Sequence, residues 1–305
     1  MLNEKAAFIV GCVRSGTTVI KEALNRHEKL AICSETHYFT NFKKNLLFSK
    51  FLRYKMKGTN RYINYLYNMI NDNNKLLNYL NKFYTNEEIV RELASFTAGD
   101  IYHLGNSKVS IDDIYKFMPQ ENLTPYEKIF KSWIKAYAHK KGKNIIPGEK
   151  TPLHIFHIKE IQKIFPTAYF IHCIRDPCST MASLKKVPWA SKSIKRNLKL
   201  WDNCRKIKLN EKYIRIYFEN FVEQPEVTLR KVCNFLDIPF DSKMLKATEE
   251  NDKYSARGEY WKKNANKKIA FKNITSKKEE LTKKELSLIE NFLKKRGGYN
   301  PDKVT

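Results

Sequence analysis

Residues 5–18, KAAFIVGCVRSGTT, join an unbroken apolar run to a short loop with two glycines and then to residues suited to a helix. That order leaves few folds open. Ala6 to Val10 show no polar alternation, so they read as a strand buried on both faces, the pattern of a parallel sheet covered by helices on each side. Thr17 to Leu24 continue as a helix, and the loop between them aims helix N-terminal amides past a strand end, which makes an anion site by geometry. A loop of the form GxxxxGK[ST] needs its Lys beside the second Gly to reach the β- and γ-phosphates of a triphosphate. Here Gly11 and Gly16 keep the spacing, but Thr17 stands where that Lys belongs. The cation is Arg14, within the loop. Its guanidinium could grip a terminal anionic group while the amides of Ser15, Gly16, Thr17 and Thr18 hold a phosphate. The competing reading is a strand-to-helix turn with no ligand.

VRSGTT, at Val13 to Thr18, resembles the 5′-phosphosulfate loop of sulfotransferases that use 3′-phosphoadenosine 5′-phosphosulfate (PAPS), in the Arg form found in bacterial, Golgi and tyrosylprotein members. A second segment, YFIHCIRDPCSTMASL from Tyr169 to Leu184, is similar to the same family's RDPxxxxxS pattern. A β-rich run stops at Arg175, and Ser183 lies eight positions on. The resemblance implies that Arg175 and Ser183 hold the 3′-phosphate. The physical logic agrees, because a guanidinium at a strand end and a hydroxyl about two helical turns along can clamp one phosphate from two sides. A strand–helix corner with a salt bridge has the same appearance.

Attack of an acceptor hydroxyl on sulfur needs a base within hydrogen-bond reach. Glu35 follows the apolar piece Leu30 to Cys33, at the end of a second expected strand, and the resemblance implies that it is this base. His37, two residues on, could share the role. The segment GEKTP, Gly148 to Pro152, resembles a family stretch whose Lys approaches the sulfuryl group, so Lys150 is expected to steady charge on the leaving oxygen, while Arg14 and the loop amides are expected to orient the 5′-phosphosulfate for catalysis. His154 reads as structural or substrate-side. In YIRIYFENF the chain departs from the family pattern by placing Phe218 where a nucleotide-binding Tyr usually stands. An aromatic ring there could still stack on adenine. Arg257, in YSARGEYW, is the candidate for a further 3′-phosphate contact near the C-terminus.

Strands at about 5–11, 30–34, 168–174 and 212–218 alternate with helical stretches, which predicts one α/β domain over residues 1–305. It is of P-loop type, in three layers, with a central parallel β-sheet flanked by helices. Residues 41–143 are rich in Tyr, Asn and Lys, carry none of the motifs, and read as a mainly helical insertion that shapes the acceptor site. Apolar spacing over Leu281 to Arg296, ahead of Gly297 and Gly298, predicts a last helix.

A net charge of +25 exceeds what one anionic nucleotide requires and points to anionic glycans, acidic peptides or an anionic membrane surface as partners. Lys and Arg are scattered and no nucleic-acid motif is present, so nucleic acid is disfavoured. Six cysteines without metal-ligand spacing read as reduced core residues, and with no apparent leader ahead of the first strand the expectation is a cytoplasmic protein that needs no metal. Taken together, the residues and the resemblance imply sulfuryl transfer from PAPS to an acceptor hydroxyl of a glycan, tyrosine peptide or lipid. The alternatives are a P-loop NTPase or kinase, and a basic nucleotide-binding module without catalysis.

Overall fold

The computed structural model describes residues 5–39, 109–120, 122–123, 125–208, 212–246 and 277–300. Five strands form one parallel sheet: β1 Ala6–Gly11, β2 Leu30–Cys33, β3 Ile146–Lys150, β4 Ala168–Ile174 and β5 Tyr213–Tyr217, in the order β2-β3-β1-β4-β5. Every residue of β1 is buried, as its uninterrupted apolar run requires of a central strand. The helices are α1 Thr17–Asn25, α2 Ile111–Lys116, α3 Pro125–His139, α4 Ile158–Ile164, α5 Pro177–Lys185, α6 Ile194–Lys206, α7 Phe218–Glu223, α8 Pro225–Leu236 and α9 Lys283–Lys294.

Alternation along the strands divides the core into two layers. Phe8 and Phe170 face a pack that includes Phe130 and Trp133 of α3, Phe165, and Trp201 of α6. Ala7, Ile9 and Ile171 face Ile20 and Leu24 of α1 and Leu229, Val232 and Leu236 of α8. Of the expected insertion, residues 41–108, 121 and 124 lie outside the described residues. The later part contains α3, whose Ile129, Phe130, Trp133 and Ile134 are buried against the sheet, so this helix is a layer of the domain core.

The strand that sequence pattern did not indicate is β3, IPGEK. Pro and Gly argue against a central strand, yet both are accommodated here. A Cβ on Gly148 would stand 2.1 Å from the Ala7 carbonyl oxygen, so glycine is what lets β3 approach β1 at this point. The last helix begins at Thr282, whose side chain and that of Glu285 form a capping box, and Gly297 and Gly298 follow it with φ of 83° and 69°.

Candidate functional site

Parallel strands all end on one edge, so the strand order fixes the order of the groups that follow them. Across that edge stand Glu35 after β2, Lys150 at the end of β3, the Cys12–Gly16 loop after β1, Arg175 after β4 and Phe218 after β5. With about 4.8 Å per strand, the ends of β2 and β4 lie roughly 14 Å apart, a span suited to an extended ligand.

The loop is tightly made. Ser15 is fully buried, its hydroxyl donating to the Cys12 carbonyl at 2.6 Å and its amide to the same oxygen at 3.2 Å. Arg14 takes the left-handed conformation with φ 70°, and Gly16, the N-cap of α1, has φ 90°. A Cβ at Gly16 would fall 2.1 Å from the Phe218 ring, so the ring lies directly against the loop backbone.

Arg14 Nε donates to Ser183 Oγ at 2.9 Å, and Arg175 donates from a terminal nitrogen to the Arg14 carbonyl at 3.3 Å. The sequence reading placed Arg14 at one end of a ligand and Ser183 at the other. In the fold they touch. The pairing of β1 with β4, with Gly11 opposite Cys173, brings the glycine loop and the RDP turn side by side, and the Arg14 side chain reaches Ser183 in the last turn of α5. The Arg175 guanidinium is 8% exposed, its carbon lies 4.9 Å from the Phe218 ring centroid, and its Nε has no hydrogen-bond partner among the described residues. Burial lowers its pKa from the usual guanidinium value, with Glu219, Asp176 and Tyr299 opposing. A buried cation with a donor unsatisfied is costly until an anion meets it.

Phe218 opens α7, so the strand expected through residue 218 ends at Tyr217. Its ring is 3% exposed between Gly16 and Arg175, which makes it a wall beneath the guanidinium. Sequence reasoning assigned nothing to the groups that fix the RDP turn from behind. Trp201 Nε1 donates to the Arg175 carbonyl at 2.9 Å, and one Glu219 oxygen accepts the Asp176 amide at 3.0 Å. The other Glu219 oxygen accepts the Tyr299 hydroxyl at 2.6 Å. Tyr299 follows the last helix, so only the tertiary fold reveals its contact with this turn.

At the other end Lys150 Nζ donates to Glu35 Oε1 and, at 3.2 Å, to Thr18 Oγ1, tying β2, β3 and α1 together. His37 Nε2 lies 3.1 Å from Glu35 Oε2, and His37 has φ 51°. Lys150 is 1% exposed and Glu35 keeps 14% of its side-chain surface accessible. The carboxylate, the ammonium and the imidazole named by the sequence therefore form one cluster, and Arg14, Ser183 and Arg175 form a second across the loop. Arg257 lies outside the described residues. All six cysteines are buried and free.

A parallel sheet with a glycine loop at its carboxyl edge, flanked by the half-buried Arg14 and the buried Arg175, defines an α/β protein of the P-loop type. The chain belongs to the sulfotransferase family, whose model matches residues 6–242. A protein-tyrosine sulfotransferase A of Caenorhabditis elegans is 26% identical over 108 residues, covering 32% of this chain and 28% of that protein. A second Caenorhabditis elegans relative, its own designation as a protein-tyrosine sulfotransferase being provisional, is 28% identical over 108 residues, 32% of this chain and 42% of that one. The chain thus spans less than half the length of the curated relatives it matches. The sulfotransferase domain of the Synechococcus PCC 7002 olefin synthase shares the fold with a TM-score of 0.50 and 20% identity, covering 94% of each chain.

Proposed function

We propose that this chain moves a sulfuryl group from PAPS to an acceptor hydroxyl. The observation that carries the reading is the buried Arg175 guanidinium, with an unpartnered Nε, beside Arg14 and Ser183 at the mouth of the glycine loop. These residues fit a nucleotide with a phosphate at each end. Arg175 and Ser183 would meet the 3′-phosphate, the amides of Ser15 to Thr18 would meet the 5′-phosphate, and Arg14 lies between the two motifs. PAPS supplies an activated sulfuryl group on a phosphate leaving group.

The protein's own part is positioning and charge. Glu35 accepts the proton of the acceptor hydroxyl as it attacks, with His37 and Lys150 fixing its two oxygens. Lys150, buried and held by Thr18, places an ammonium where negative charge grows on the leaving oxygen, which favours the transition state over the ground state. Phe218 keeps Arg175 dry and in place.

For the acceptor, the relatives named as protein-tyrosine sulfotransferases and the +25 net charge favour a tyrosine in an acidic peptide over a neutral glycan or lipid. Anionic glycans remain the second class to test. The assay is transfer of radiolabelled sulfuryl from PAPS to an acidic tyrosine peptide, its Tyr→Phe counterpart and a sulfatable oligosaccharide. Label on the tyrosine peptide alone supports the full reading. Label on none of them, with the nucleotide bound, favours a binding module.

A further inference from the structure

Behind Glu35, on the face of β3 opposite Lys150, lies a polar cluster set into aromatic core. Glu149, Thr151 and His154 are each 0% exposed, with Phe39 and Phe130 packed around the His154 ring. Buried polar groups in such a setting are expected only where each has a partner. Glu149 Oε1 accepts the Thr36 amide at 3.0 Å and the Thr151 hydroxyl, and Oε2 lies 3.0 Å from His154 Nδ1. The Thr151 oxygen also accepts the amides of Thr36 at 3.0 Å and His37 at 3.2 Å. The Phe39 amide donates to His154 Nε2 at 3.3 Å, and the Tyr38 amide to Thr36 Oγ1 at 3.1 Å.

All four amides from Thr36 to Phe39 therefore end on side chains, and three of the four end on this cluster. Thr36 and His37 lie outside any strand or helix, Tyr38 and Phe39 are helical, none of the four amides pairs with a strand among the described residues, and His37 is left-handed. An unfavourable backbone conformation persists only where its surroundings hold it. The tautomer follows from the partners. Nε2 accepts from the Phe39 amide and carries no proton, so Nδ1 carries it and donates to Glu149. Burial alone would raise the Glu149 pKa, but His154, Thr151 and the Thr36 amide outweigh it and hold the carboxyl below its ordinary value.

We propose that Glu149, Thr151 and His154 are positioning residues that lock the Thr36–Phe39 backbone and thereby set Glu35 against Lys150. The inference rests on the reading of Glu35 as the base for its kinetic consequence, but the lock is measurable without that reading. Adjacent β3 residues serve opposite tasks, since alternation sends Lys150 towards the reacting groups and Glu149 to the support behind them.

The test uses Thr151→Val, which removes the hydroxyl at nearly constant shape, beside Thr151→Ser, which keeps it. Amide hydrogen exchange followed by NMR on the full chain should show Thr36 and His37 exchanging at least ~10-fold faster in Thr151→Val, with β1 amides unchanged and Thr151→Ser near wild type. Turnover should fall about 10- to 100-fold in Thr151→Val while the PAPS KM changes less than about threefold, and Thr151→Ser should restore it. In the wild type, imidazole nitrogen shifts should report Nδ1 of His154 as the proton-bearing nitrogen and Nε2 as the accepting one. Unchanged exchange at Thr36 and His37 would overturn the proposal, as would faster exchange spread equally over β1, or an Nε2-protonated His154. If Thr151→Val does not fold, His154→Gln, judged by exchange at Phe39, decides the question in the same way. Full turnover by Glu35→Gln would refute the base and leave the exchange result standing on its own.

Discussion

Arg14 and Ser183, 169 residues apart in the chain, meet through a 2.9 Å hydrogen bond from guanidinium Nε to hydroxyl oxygen. The bond joins the loop after β1 to the helix after β4, so on the proposed reading a phosphate seated on one motif would be sensed by the other. A double-mutant cycle measures this. Arg14→Ala and Ser183→Ala should each weaken binding of 3′,5′-adenosine bisphosphate about 10-fold or more, and the pair should couple by about 1 kcal/mol in calorimetric titration. Strict additivity would mean that the two residues act on separate parts of the ligand.

Glu35 and Lys150 form an ion pair, to whose members the proposed mechanism gives different tasks. Glu35→Gln is expected to lower turnover by about two orders of magnitude or more with nucleotide affinity nearly intact, as loss of a general base should. Lys150→Met should lower turnover by a comparable factor and also loosen the pair's geometry. Rate measurements at saturating PAPS, with bisphosphate affinity as the control, separate the effects. Unchanged turnover in Glu35→Gln would pass the proton-accepting task to His37.

Gly16 is a steric hinge between loop and ring. Its φ of 90° and the Phe218 ring, which would stand 2.1 Å from an added Cβ, both exclude a side chain. Gly16→Ala should cost at least about 2 kcal/mol of stability from backbone strain and crowding together. Adding Phe218→Leu should recover part of that loss by relieving the crowding. Urea unfolding midpoints check the pair, and a neutral Gly16→Ala would contradict the packing.

Much of the site could be read from the one-dimensional pattern because both anion motifs sit where an apolar strand stops. Ala6 to Val10 and Tyr169 to Ile174 announce their strands by burial on both faces, and the residues that follow are placed on the sheet edge by connectivity. What escaped the pattern depends on tertiary contact. β3 hides because Pro147 and Gly148 mask its strand character, and glycine is needed there only because Ala7 comes so close. Glu149 and Thr151 flank the expected Lys150, but their partners Thr36 and His37 belong to another strand's loop. Tyr299 reaches the RDP turn from beyond the last helix. Phe218 reads from the sequence as a ring that could stack on adenine, and its contacts with Gly16 and Arg175 come from the fold alone.

His172, on β4, is fully buried, and neither ring nitrogen has a hydrogen-bond partner among the described residues. Burial first, and the Arg215 charge second, push its pKa down from 6.5 to about 3. Between those values the unfolded chain binds a proton that the folded chain refuses, so stability is complete above pH 6.5 and is lost as pH falls towards 3. From neutral pH to pH ~4 the loss from this group should reach about 3 kcal/mol. His172→Phe should flatten that part of the stability profile, measured by urea unfolding across the acid range. An equally steep profile in the variant would assign the acid loss to other groups.

The most direct test of the account is calorimetric titration of the wild type and Arg175→Ala with 3′,5′-adenosine bisphosphate, adenosine 5′-monophosphate, and ATP with magnesium. Two charge-assisted contacts to the second phosphate should give the bisphosphate an advantage on the order of 100-fold over the monophosphate, and Arg175→Ala should erase most of it while leaving monophosphate binding nearly unchanged. Tightest binding of ATP with magnesium, or an equal loss of both adenosine phosphates in Arg175→Ala, would contradict the account.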